Sequence, residues 1–193
     1  MNILVATKNK GKLREIKSIL TGFNVLGLDD VGIDVDIEEN GTTFEENALI
    51  KAREISKLSG RVVISDDSGL EVDFLNGAPG IYSARYTEGS DDDRVNKLLS
   101  ELYNVPQEKR GAHFTCAIAI VYPDGREYTF RGECYGIIDT EKKGENGFGY
   151  DPVFYVEKYG KTLAEVDAEV KNKISHRCIA LKKLKEFLSN QNA

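Results

Sequence analysis

Residues Ala112 to Tyr122 form an unbroken strand-like run, and Pro123-Asp124-Gly125 turns the chain back into Glu127 to Glu133. A hairpin in mid-chain commits that region to antiparallel pairing. The chain begins differently. Asn2 to Ala6 reads as a short buried strand. Gly11 to Leu20 reads as a helix with Leu13, Ile16, Ile19 and Leu20 on one face, and Asn24 to Leu28 as a second strand. Strands and helices mixed in this way predict an α/β protein with an elongated mixed β-sheet, flanking helices and two lobes around a central cleft.

Further along, Asp29 to Thr42 is acidic and reads as a loop with one edge strand. Thr43-Phe44-Glu45-Glu46 matches a capping box, so a helix is expected from there to about Leu58, stopped at Gly60. Val62 to Ser65 is a β-branched central strand that feeds an Asp-Asp-Ser-Gly turn. Asn76-Gly77 and Pro79-Gly80 mark further turns. Asp91 to Tyr103 is a predicted helix, and its leading Asp91-Asp92-Asp93 suits a helix dipole better than a metal site. Tyr135 to Ile138 extends the hairpin sheet, Val153 to Val156 is a strand, and Ser175 to Leu188 is the last helix.

Residues 1–193 read as a single domain of two lobes, long enough for a substantial core. The net charge of −6 disfavours nucleic acid and membrane surfaces as partners, since both call for a broad basic face. A small anionic ligand needs only local positive charge. No apolar stretch approaches the roughly 18 residues of a membrane span, and Met1 to Thr7 reads as a first strand, not a signal peptide. Cys116, Cys134 and Cys178 lack metal-ligand spacing and read as buried thiols of a cytoplasmic protein.

Five segments carry candidate chemistry. Thr7-Lys8-Asn9-Lys10-Gly11-Lys12 lies at a helix start, where backbone N–H groups and lysines attract phosphate; the competing reading is a solvated helix end. Ser65-Asp66-Asp67-Ser68-Gly69 places adjacent carboxylates at a strand end, a place for Mg²⁺ and a water-activating base, or else an Asx-type turn. Glu38-Glu39 offers a further carboxylate. Gly144 to Pro152 holds Phe148 and Tyr150, either of which suits base stacking or inward packing, with Gly149 and Asp151 beside them. Ser175-His176-Arg177 puts cations in the first turn of a helix, against its dipole, with Lys171 and Lys173 just upstream. Two other patterns fail. Gly160-Lys161-Thr162 lacks the leading glycine of a P-loop, and Gly147-Phe148-Gly149 meets Pro152 where a dinucleotide fingerprint needs glycine.

In order along the chain, several segments resemble the inosine/xanthosine triphosphate pyrophosphatase family. They are Thr7-x-Asn9-x-x-Lys12, Thr43-Phe44-x-Glu46-Asn47-Ala48, Asp66-Asp67-Ser68-Gly69-Leu70, Gly77 to Tyr86, Gly147 to Pro152 and Ser175-His176-Arg177. The resemblance implies hydrolysis of ITP, dITP and XTP to the monophosphate and pyrophosphate, with Mg²⁺, in a homodimer. It implies that Thr7, Lys8, Asn9, Lys10, Gly11 and Lys12 hold the triphosphate and that Lys51 faces the phosphates. It implies that Glu39 and Asp67 hold the metal, that Asp67 is the general base with Asp66 in reserve, and that Ser68 contacts substrate. Phe148, Gly149, Tyr150, Asp151, Lys171, His176 and Arg177 would surround the nucleoside. Rival readings are a pyrimidine-directed nucleotide pyrophosphatase and a non-catalytic nucleotide sensor.

Overall fold

The computed structural model describes residues 2–191. Its elements are β1 (Asn2–Val5), α1 (Lys10–Ile19), β2 (Asn24–Gly27), α2 (Phe44–Ser59), β3 (Val63–Val72), α3 (Asp91–Glu101), β4 (Gly111–Val121), β5 (Glu127–Ile138), β6 (Phe154–Val156), β7 (Lys161–Thr162), α4 (Ala168–Ile174) and α5 (His176–Gln191), with short 3-10 turns between them. A seven-stranded sheet runs in the order β2-β1-β3-β4-β5-β6-β7. It is mixed: β1 is parallel to β2 and β3, while β6 is antiparallel to β5 and β7. The chain divides into two compact units. The first comprises Met1–Asp67, Cys116–Gly132 and His176–Ala193; the second comprises Ser68–Thr115 and Glu133–Ser175.

The first unit follows from the two-residue period of its strands. Ile3, Val5, Ile64, Cys116, Ile118 and Ile120 share one face and pack on Ile16 and Leu20 of α1 and on Ala180, Leu181, Leu184 and Leu188 of α5. Leu4, Ala6, Val63, Ala119 and Val121 share the other and pack on Ala48, Ala52 and Ile55 of α2. Both faces are covered, so these strands read as continuous apolar runs. Each fully buried Ile or Leu contributes about 1.5–3 kcal/mol. At Gly132 of β5 a Cβ would collide with the His176 carbonyl and the Ala180 N–H, so the absent side chain lets α5 lie directly on the strand.

The second unit gathers Leu70, Val72, Val95, Leu98, Leu102, Phe114, Ile138, Tyr150 and Phe154 into its own core. Arg110, buried, donates to the carbonyls of Ile138, Leu102 and Asp139 and so ties three chain segments together.

Four local expectations need correction. The Asp-Asp-Ser-Gly segment is not a turn; β3 runs through it to Val72, because buried neighbours and ladder pairing override the turn preference of those residues. Residues 29–42 contain a 3-10 turn at Asp29–Val31 and no strand. Ile33, Val35 and Ile37 pack inward and Asp34 and Asp36 reach Lys8, which is strand-like alternation without a ladder partner. The capping box is shifted: Thr43 accepts from the Glu46 N–H, but the Glu46 carboxylate closes on the N–H and hydroxyl of Thr42. Finally, α4 stands where the sequence reading had no helix, with Asp167 as its N-cap, and Ser175 closes it as C-cap before α5 opens at His176.

Candidate active site

Because β3 is extended, Asp66 and Asp67 point to opposite faces of the sheet. Asp66 joins the α1 and α5 face. Its Oδ2 lies 3.0 Å from Lys12 Nζ and accepts from Arg177 at 3.1 and 3.3 Å. Arg177 also donates to Glu15 at 2.5 Å and is buried to 1% exposure. Burial alone would push the Asp66 carboxyl up, but Lys12, Arg177 and Lys51 outweigh it and hold it far below the ordinary carboxylate range. Asp66 is a fixed anion clamped by two cations.

Asp67 joins the α2 face. It accepts from the Asn47 side chain at 3.1 Å and lies 4.0 Å from Lys51 Nζ, which sits 3.0 Å from Glu39. Ser65, two residues earlier and so on the same face, donates to the Ala48 carbonyl of α2. Burial pushes the Asp67 carboxyl above its ordinary value; Lys51 and Lys12 offset part of this, and Glu39 adds to it. Two neighbouring aspartates thus have opposite characters. Asp66 stays ionised, and Asp67 is ready to take a proton.

Beside them lies a cavity of about 220 Å³ lined by Thr7, Lys8, Lys12, Glu39, Lys51 and Asp66, with Leu28, Val35 and Ile55 as apolar wall. Three lysines concentrate positive charge in a protein whose net charge is −6. The start of α1 is not a bare helix end. Asn9 Oδ1 accepts from the N–H groups of Gly11 and Lys12 at 2.8 and 3.0 Å, and Thr7 Oγ1 accepts from the Asn9 N–H. Positive charge therefore reaches the cavity chiefly through lysine side chains. Lys8 is exposed and paired with Asp34 and Asp36, and Lys10 is exposed.

In the second unit a second group forms around Asp151, which is 2% exposed. Its Oδ2 accepts from Lys171 Nζ at 2.7 Å and from the Phe148 N–H at 2.8 Å. Lys171 Nζ also lies 4.4 Å from the centre of the Phe148 ring. Gly147 and Gly149 both have positive φ, and the Gly149 N–H donates to Asp91 at 2.8 Å. Of the two aromatics in this loop, Tyr150 is buried in the core with its hydroxyl on the Ser83 carbonyl. Phe148 is partly exposed. Ser68 is half-buried on β3, and His176 is buried at the start of α5.

A family model described as the Ham1 family matches residues 3–187. The chain belongs to the Ham1 family. Among relatives of this Ham1 chain, a dITP/XTP pyrophosphatase of Bacillus licheniformis is 52% identical over 96% of this chain and 97% of its own length. A dITP/XTP pyrophosphatase of Geobacter sulfurreducens is 51% identical over 98% and 97%. The solved structure of the Staphylococcus aureus Ham1 protein superposes with a TM-score of 0.89 at 45% identity, covering 99% of this chain and all of that one.

Sequence reasoning about this Ham1 chain missed three contributors. Asn47 had no role assigned, yet it is fully buried against Asp67. Glu15 was assigned no role, yet it pairs with Arg177. Asp91 read as a dipole partner only, yet it also holds Gly149. The one available signal was Asn47, a residue unfavourable inside a helix, standing just before the apolar run Ala48-Leu49-Ile50.

Proposed function

We propose that this chain hydrolyses purine nucleoside triphosphates carrying a non-standard base (ITP, dITP and XTP) to the monophosphate and pyrophosphate. The observation that carries the reading is the division of the two aspartates: one anion fixed among cations, the other with a raised proton affinity beside a lysine-lined cavity. The activity for which relatives at about half identity are named supports the substrate class.

The first unit takes the phosphates. Lys12 and Lys51, with Thr7, Lys8, Asn9, Lys10 and Gly11, neutralise and orient the triphosphate. Asp66 holds the Lys12 ammonium at a fixed place at the cavity wall. Glu39 and Asp67 suit Mg²⁺. Both carboxylates already gather around one cation, the Lys51 ammonium, and a pair of carboxylate oxygens is the usual protein share of a Mg²⁺ shell completed by water and phosphate. When bound, that ion would offset charge building on the leaving phosphates. Asp67 accepts a proton from water as the water oxygen attacks the α-phosphorus. The α-phosphorus to bridging-oxygen bond breaks, and pyrophosphate leaves with the electron pair.

Residues 148–151 and Lys171 read the nucleoside. Phe148 stacks on the base, and Asp151 and Lys171, held to each other, set the polar groups that meet its edge, with Gly149 and Tyr150 shaping the loop. Ser68, His176 and Arg177 complete the substrate contacts, although Arg177 is also tied to Asp66 and Glu15. A 6-oxo group is an acceptor where adenine carries an amino donor, so a buried donor facing adenine would be left unpaired at about 1–3 kcal/mol. We further propose that residues 1–193 act as one catalytic domain, in a cytoplasmic homodimer. The three buried thiols are compatible with a reducing compartment. Among the described residues no helix is long and apolar enough to cross a membrane.

The test is product analysis with Mg²⁺ and each of ITP, XTP, dITP, ATP, GTP and TTP. Pyrophosphate and monophosphate from the first three are expected. Orthophosphate release, or equal turnover of ATP, overturns the reading.

A further inference from the structure

We propose that Asn47 is a positioning residue that couples the loop carrying Glu39 to Asp67 and thereby sets the placement of the two carboxylates relative to each other. The inference rests on the functional reading above and adds a residue to it.

Asn47 lies in the first turns of α2, fully buried, with both ends of its amide in use. Its Oδ1 accepts from the Gly41 N–H at 2.9 Å, and its Nδ2 donates to Asp67 Oδ2 at 3.1 Å. The two bonds fix each other. An N–H can only face the amide oxygen and a carboxylate can only face the amide nitrogen, so a flipped amide would create two repulsions. The side chain therefore has one orientation and links two segments that are remote in sequence.

The loop end of this link is tight. A Cβ at Gly41 would lie 2.7 Å from Glu46 Cβ and 2.8 Å from Asn47 Oδ1, so only glycine lets the backbone come this close to α2. The next residues are held as well, Thr42 by the Glu46 carboxylate and Thr43 by its bond from the Glu46 N–H. Glu39 stands two residues before Gly41 and reaches Lys51, one helical turn beyond Asn47. Asn47 thus joins the anchored loop to β3, and Lys51 spans the same two carboxylates from the same helix face. Asn47 is fully buried and meets Asp67 through its amide, so it acts on the site through that carboxylate and not by contact with substrate. Outer partners that orient such ligands commonly matter by 10–100-fold in activity.

The experiment compares wild type, Asn47→Ala, Gly41→Ala, Glu39→Gln and the Asn47→Ala/Glu39→Gln double variant. Hydrogen exchange by mass spectrometry reads peptides covering residues 38–42, and steady-state kinetics with dITP and Mg²⁺ reads kcat and KM separately. Faster exchange in 38–42 is expected for both Asn47→Ala and Gly41→Ala, with kcat lowered about 10–100-fold and KM within about threefold of wild type. The double variant should lose less than the product of the two single losses, because Asn47 acts in part through the placement of the Glu39 carboxylate. Unchanged exchange in both single variants, a kcat within twofold of wild type, or fully additive losses in the double variant would each overturn the proposal. If Asn47→Ala does not fold, Gly41→Ala, which keeps the amide and disturbs only the loop end, decides by the same readings. A wild type that releases no pyrophosphate would sink the functional reading, and the exchange comparison would still judge the coupling.

Discussion

Replacing Asp66 by Asn should destabilise the protein far more than the same change at Asp67. Asp66 is buried to 1% exposure, and its Oδ2 is shared by Lys12 at 3.0 Å and Arg177 at 3.1 and 3.3 Å. Asp66→Asn keeps the shape and removes the charge, leaving two cations facing a neutral amide. Breaking a buried ion pair from one side costs about 3–5 kcal/mol. Glu15 still neutralises Arg177, which places the loss near the lower end, about 3 kcal/mol. For a chain of this size that corresponds to a fall of about 6–12 °C in Tm. The pH dependence has a definite sign. The folded carboxyl sits below its unfolded value, so its contribution is complete above the unfolded pKa of about 3.9 and is lost as pH falls through the lower folded one. Urea unfolding at pH 7 and at about pH 3.5 measures both quantities. The reasoning is refuted if the two proteins differ by less than about 1 kcal/mol at pH 7, or if their difference fails to shrink at the lower pH.

Asp67→Asn should abolish pyrophosphate release while leaving stability at pH 7 equal to or above wild type, because folding raises this carboxyl and so disfavours its charge; calorimetry and product assay together check it. Gly147→Ala combines a positive φ with a Cβ that collides with the Asp151 carboxylate; KM for dITP should rise at least tenfold, with the change in stability, about 1 kcal/mol or more, read by thermal unfolding. Chelation with EDTA should remove turnover and added Mg²⁺ should restore it, followed by pyrophosphate release.

Much of the architecture was legible because it is written in local periodicity. The hairpin from β4 to β5, the turns at Asn76-Gly77 and Pro123-Asp124-Gly125, and the α2 boundaries between Thr43 and Gly60 follow from residue patterns spanning a dozen positions or fewer. The motif at Ser65 to Gly69 misled for the opposite reason. Asp, Ser and Gly are turn formers by local preference, and what makes them a strand lies elsewhere in the chain: Asn47 is 20 residues away and Arg177 is 111. Helix α4 went unseen because it has only seven residues and two inward apolar positions, Val170 and Ile174. The cap at Asp167, bonded to the Val170 N–H, was its one local sign. At the site, residue types pointed to phosphate, metal and base chemistry. Which carboxylate would serve as anchor and which as base depended on side-chain direction, and that became visible only with the strand in place.

The alternation along β3 makes this segment sensitive to length in a way that composition does not reveal. Losing one residue between Ile64 and Asp66 would exchange the faces of the two aspartates, presenting the base to Lys12 and Arg177 and turning the anchor to the face of Asn47 and Lys51. Such a chain would keep every residue type of the motif and almost its whole composition, yet its acid–base assignments would be reversed. Drift by substitution can proceed step by step around this strand, whereas drift by insertion or deletion within it meets an odd–even rule that no neighbouring substitution repairs.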